Sequence, residues 1–130
     1  FSFEALSRGA ASATAVDESA ANMKGLAAVA HSLQVPVETI TGDVLGVLKR
    51  LKTRQFDLIY ADPPYDYRRY DELLLALDSG PAAPDALVAI EHRRKSAPFT
   101  ITPARLSLRR QAEYGEVWIT FFSSLPQALQ

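Results

Sequence analysis

The 130-residue chain is long enough for one compact core, and its 48% apolar and 22% charged residues are those of an ordinary globular protein. No apolar run approaches the roughly 18–20 residues of a membrane helix, and the opening residues do not read as a signal peptide, so a soluble, cytoplasmic protein is expected. The lack of cysteine excludes disulfides and thiolate metal sites, two isolated histidines (His31 and His92) offer no metal-ligand spacing, and a net charge of −1 says little about nucleic acid.

In chain order, Phe1-Ser2-Phe3-Glu4-Ala5-Leu6-Ser7-Arg8-Gly9 reads as a helix stopped by Gly9 in the left-handed position beyond its end. No capping residue precedes it, so the chain is expected to begin inside an element. Ala11 to Val16 is a short apolar run, expected as a buried strand, and ends at Asp17-Glu18. From Ser19 to Leu33, the residues Met23, Leu26, Ala27, Ala30 and Leu33 fall on one helical face, and Pro36 forbids continuation. Val37 to Thr41 is a second strand, closed by Gly42-Asp43. Val44, Leu45, Leu48 and Leu51 then recur at helical spacing, with Asp43 placed to cap the helix.

Phe56 to Ala61 is nearly unbroken in apolar character, as expected of a central parallel strand, and ends in Asp62-Pro63-Pro64-Tyr65. A helix is expected around Tyr70 to Leu77, a loop from Ser79 to Asp85, and a buried strand from Ala86 to Ile90, ending at Glu91-His92. After Pro103 the period changes to two, on either side of Tyr114-Gly115, which predicts an antiparallel hairpin. The whole is an α/β domain spanning residues 1–130, with a mostly parallel sheet and the hairpin as its antiparallel edge.

The sharpest chemical signal is Asp62-Pro63-Pro64-Tyr65. In open α/β sheets, ligands bind beyond the carboxyl ends of the strands, where this motif stands. An exocyclic amine on a nucleobase is a poor nucleophile because its lone pair is delocalised into the ring. Two acceptors that bond its N–H groups favour pyramidalisation and expose the lone pair. Asp62 can supply a carboxylate oxygen and Pro63 a backbone carbonyl. Pro63 and Pro64 fix φ and stiffen the loop, which preorganises those acceptors. Tyr65 offers a face on which an extruded base can stack. The bland alternative is a proline-rich turn with Tyr65 as a packing residue.

Acidic residues also follow the two earlier strands. Asp17, with Glu18 beside it, can accept from the ribose hydroxyls of a nucleoside cofactor. Asp43 can accept from an adenine amino group while the Val44 N–H meets a ring nitrogen. Each has an ordinary alternative, a surface carboxylate or helix cap for Asp17 and the cap for Asp43. Arg68 and Arg69, and later Arg93, Arg94 and Lys95, are either phosphate contacts or a solvated charge run. His31 reads as a surface histidine and His92 as structural.

The Asp-Pro-Pro-Tyr stretch resembles the signature of amino-directed nucleic-acid methyltransferases. Together with Glu4-Ala5-Leu6-Ser7-Arg8-Gly9-Ala10, Val16-Asp17, Gly42-Asp43, Phe56-Asp57, Glu91-His92 and Tyr114-Gly115, it makes essentially the whole chain resemble the bacterial small-subunit (16S) ribosomal RNA guanine-N2 methyltransferases. That resemblance implies a Rossmann-like class I fold and S-adenosylmethionine as cofactor. It also implies direct methyl transfer, without metal, to a guanine of ribosomal RNA or of a small-subunit assembly particle. Asp62, Pro63, Pro64 and Tyr65 would hold the base, and Asp17, Glu18, Asp43 and Val44 the cofactor. Family members begin with a first strand and a glycine-rich loop under the methionine part of the cofactor. Residues 1–130 lack both, so weak cofactor binding, or none, is expected of these residues alone. An adenine-N6 methyltransferase acting on DNA or RNA, and a non-catalytic RNA-binding or assembly module, are the competing readings.

Overall fold

The computed structural model describes residues 2–64, 66–93 and 98–124. They form two compact units, Phe1–Val47 and Leu48–Gln130, whose boundary falls inside a helix.

The first unit runs α1 (Ser2–Ser7), β1 (Ala13–Asp17), α2 (Ala20–Leu33), β2 (Val37–Thr41) and the start of α3 (Val44–Leu51). Gly9, at φ +109°, ends α1 as expected. Its N–H donates to the Leu6 carbonyl at 3.2 Å, and the Ala10 N–H to that of Ala5 at 3.1 Å, a Schellman closure that satisfies the last carbonyls. β1 pairs with β2 in parallel, from Ala13 opposite Val37 to Asp17 opposite Thr41. The Ser19 hydroxyl caps α2 by accepting from the Asn22 N–H at 3.1 Å.

Two expectations need correction here. β1 is half-buried along its length rather than buried, because no described strand pairs with its other edge. Leu33 is exposed rather than on the inner face of α2. Met23 and Ala30, two turns apart, form the buried stripe, and the left-handed turn at Gln34 ends the helix before Leu33 is covered.

The second unit holds the end of α3, then β3 (Phe56–Ala61), α4 (Tyr70–Asp78), β4 (Ala82–His92), β5 (Leu106–Tyr114) and β6 (Val117–Ser124). Its sheet has the order β3-β4-β6-β5, with β3 parallel to β4 and the other pairs antiparallel. The hairpin is the antiparallel edge expected, turning at Gly115 with φ +65°. β4 is the buried spine, with Val88 and Ile90 fully enclosed, and Leu73, Leu74 and Leu77 of α4 are buried as well. β3, expected to be central, is an edge of this sheet among the described strands, and Leu58 is 46% exposed.

β4 starts four residues earlier than expected, so residues 82–85 are strand rather than loop. Gly80, Pro81 and Pro84 are loop signals, but the surroundings override them. The Phe56 N–H donates to the Pro81 carbonyl at 2.8 Å. The Ser124 hydroxyl donates to the Ala83 carbonyl and accepts from the Ala86 N–H at 2.9 Å. Asp85 sits at φ +62° in a bulge, where β3 advances two residues against five of β4, and a bulge is where a strand tolerates proline.

Asp78, at the end of α4, is 7% exposed. Its carboxylate accepts from the backbone N–H groups of Arg105 and Leu106 at 2.7 Å and of Ala104 at 2.9 Å. Arg105 in turn donates to the carbonyls of Asp78 and Ala82. One side chain thus fixes where the chain enters β5. Asp78→Ala strips the carboxylate from three backbone donors, and we expect a loss of about 3 kcal/mol of stability, read as a lower urea midpoint at unchanged slope. A loss below about 0.5 kcal/mol, the scale of an ordinary surface change, would show that the anchor is dispensable.

Candidate active site

At the carboxyl end of the first unit's sheet, Asp17 and Asp43 are brought close by the β1–β2 pairing, since the Gly42 N–H donates to the Asp17 carbonyl at 2.9 Å. Asp17 Oδ1 accepts from the Ser19 N–H at 2.9 Å, and Oδ2 lies 3.5 Å from the Asn22 amide nitrogen. This Asx-type turn holds the carboxylate at the entry to α2. Glu18 is exposed beside it. Asp43 caps α3 as expected, its Oδ2 accepting from the Gly46 N–H at 3.1 Å, and Val44 is half-buried at the first turn. A carboxylate that takes one N–H keeps further lone pairs, so the capping and cofactor roles are chemically compatible at both positions. The residues present fit the acceptor demands of a nucleoside's hydroxyl and amino groups.

The second unit carries the motif. Asp62 and Pro64 are exposed and Pro63 is half-buried, directly beyond the end of β3. The Tyr67 N–H donates to the Pro64 carbonyl at 2.9 Å and closes the turn. Tyr65, Arg94 and Lys95 lie outside the described residues. Arg68 and Arg93 are exposed. Arg69 makes a two-pronged contact with Glu72, at 3.1 and 2.6 Å, which holds the Glu72 carboxyl below its ordinary value. His31 is exposed and His92 buried, as expected of a surface and a structural histidine. His92 Nε2 shares a 2.6 Å hydrogen bond with the Thr120 hydroxyl.

Three further residues stand beside the motif. Ala61 pairs with Ile90 across β3 and β4, so the motif emerges next to Glu91. The Tyr60 hydroxyl donates to Glu91 Oε2, and the Tyr70 hydroxyl to the Glu91 backbone carbonyl at 3.3 Å. Tyr67, Tyr70, Phe99 and Phe122 stack edge to face in succession, with centroids 5.1–5.8 Å apart, an arrangement aromatic quadrupoles favour. One sequence signal was available for Tyr60, since it stands two residues before Asp62 and so shares its side of the strand. For Tyr70 and Glu91 the signal is the strand pairing itself, which no local pattern announces.

Burial raises the Tyr70 phenol above its ordinary 10.0, the Asp62 charge raises it further, and Arg93 opposes both. The fold therefore prefers the neutral phenol. That preference is fully present below the unfolded value and is lost as pH rises through the folded one. A phenolate titration of the protein minus that of Tyr70→Phe should give a midpoint above 10.0, and Asp62→Asn should move it downward. A midpoint unmoved by Asp62→Asn would separate the carboxylate from the phenol.

With this geometry in place, likeness to other proteins can be weighed. A Haemophilus influenzae protein provisionally named a methylase superposes with a TM-score of 0.80 and 25% identity, covering 95% of this chain and 78% of its own. An Escherichia coli protein provisionally named a methyltransferase gives the same score and identity, over 96% and 69%. A conserved hypothetical protein from Streptococcus pyogenes gives 0.78 at 19% identity, over 92% and 75%. No curated protein matches the sequence. The architecture is thus the Rossmann-like α/β fold of class I methyltransferases, mostly parallel with an antiparallel hairpin. The family described as conserved hypothetical protein 95 matches residues 1–123, and the chain belongs to it.

Proposed function

We propose that the protein is a methyltransferase that moves a methyl group from S-adenosylmethionine to the exocyclic N2 of a guanine in small-subunit ribosomal RNA, in the cytoplasm. The observation that carries this reading is the exposed Asp62 carboxylate on a proline-stiffened turn at the carboxyl end of β3. The likeness to proteins named as methyltransferases supports the reaction class, and the sequence resemblance supports the guanine and the RNA.

The cofactor supplies an electrophilic methyl on a sulfonium sulfur. On accepting that methyl the amine would shed one proton. Asp62 and the Pro63 carbonyl hold the two amine hydrogens and aim the lone pair, and Asp62 or solvent takes the proton released. Asp17 and Asp43 hold the ribose and adenine ends of the donor, with Glu18 and Val44 beside them. Arg68, Arg69, Arg93, Arg94 and Lys95 are the candidate contacts for RNA phosphates. Nothing covalent is asked of the protein. Its contribution is position and fixed polarity.

The test is the identity of the methylated nucleoside after small-subunit RNA, or a partly assembled particle, is incubated with labelled donor. The expected product is N2-methylguanosine, with Asp62→Ala slowing its formation by about 100-fold or more. N6-methyladenosine as the product would overturn the guanine assignment. Tight RNA binding with no methylation, unchanged by Asp62→Ala, would favour a non-catalytic module.

A further inference from the structure

We propose that Glu91 is the residue that selects guanine over adenine, by accepting a hydrogen bond from the ring N1–H next to the target amine. This rests on the reading that Asp62 and the Pro63 carbonyl hold that amine. In guanine the N2 amine is flanked by two ring nitrogens, N3 with a lone pair and N1, which bears a hydrogen. In adenine the atom beside the N6 amine is also N1, but there it is a bare lone pair. The amine looks alike to Asp62 in both bases, so discrimination requires a second group reading N1.

Glu91 is placed for this. Strand register sets it beside Asp62, and the Tyr70 hydroxyl donates to the Glu91 carbonyl. The Tyr60 hydroxyl occupies Oε2 and orients the carboxylate. Oε1 takes no hydrogen bond from the described residues, and the side chain is half-buried. An ionised carboxylate only accepts. It attracts an N1–H and repels an N1 lone pair, and a site that leaves such a group unpaired rejects the wrong ligand strongly. Tyr60 and Tyr70 act through Glu91 as positioning residues, one on its side chain and one on its backbone.

The probe used for N1 is 2-aminopurine, which keeps the guanine 2-amino group but has an N1 lone pair and lacks O6, so the dependence of the preference on Glu91, rather than the preference itself, reports the N1 contact. Binding of guanosine 5′-monophosphate, 2-aminopurine riboside 5′-monophosphate and adenosine 5′-monophosphate would be measured by amide-shift titration of the whole chain, for wild type, Glu91→Gln and Tyr60→Phe. Wild type should prefer guanosine over 2-aminopurine riboside by about tenfold or more, the scale of a charge-assisted hydrogen bond. Glu91→Gln offers a donor as well as an acceptor, and should shrink the ratio to about threefold or less with Tm unchanged. Tyr60→Phe keeps the carboxylate but frees it, and should fall between the two. A wild-type ratio near one, or a preference that survives Glu91→Gln, overturns the role of Glu91 alone. Wild type binding adenosine monophosphate more tightly than guanosine monophosphate, or binding neither, overturns the guanine reading beneath it.

Discussion

Parallel pairing of β3 with β4 is the constraint on which the candidate site depends. Parallel strands end side by side at the same edge, so the turn that leaves β3 and the residues that close β4 meet there. With Ala61 opposite Ile90, Asp62 emerges next to Glu91. Sliding the register by one residue would turn every side chain of one strand to the other face and remove Tyr60 from Glu91. The register is held by the fully buried Val88 and Ile90 of β4 and, at the other end of β3, by the bulge around Asp85 that absorbs the mismatch there.

The support behind the site is polar as well as apolar. Thr120 is fully buried on β6 yet bonded to His92, and Ser124 is buried yet serves both the Ala83 carbonyl and the Ala86 N–H. Asp78 does the same at the entry to β5. Each of these three buried polar side chains is matched by a partner, as a low-dielectric interior demands. The aromatic series from Tyr67 to Phe122 joins the turn beyond Asp62 to the hairpin. The hairpin is thus part of the support of the end of the sheet that carries Asp62, besides closing its edge.

Much of this was legible in the sequence, because hydrophobic period and turn chemistry are local. Gly9, Ser19, Asp43 and Gly115 each mark a boundary through a conformation or a cap that the residue type itself prefers, and β2 and β3 follow from short apolar runs. The failures came where distant residues decide. Pro81 and Pro84 announce a loop, and only Ser124, some forty positions later, makes a strand there workable. Leu33 has the spacing of a buried residue, but burial needs a neighbour that spacing cannot supply. At the site, Asp62-Pro63-Pro64 was readable because its chemistry is written in consecutive residues. Glu91 was visible as a strand-end acid without a role, since its role comes from a phenol thirty-one positions earlier.

The central claim is that the carboxyl ends of β3 and β4 together form the surface that receives the base. Amide-shift mapping of the whole chain with guanosine 5′-monophosphate tests it most directly, because it reports location without requiring turnover. The account predicts that the largest changes cluster at residues 60–64 and 90–93, and that Asp62→Ala abolishes them. Changes confined to the β5–β6 hairpin or to α2, with residues 60–64 silent, would contradict it.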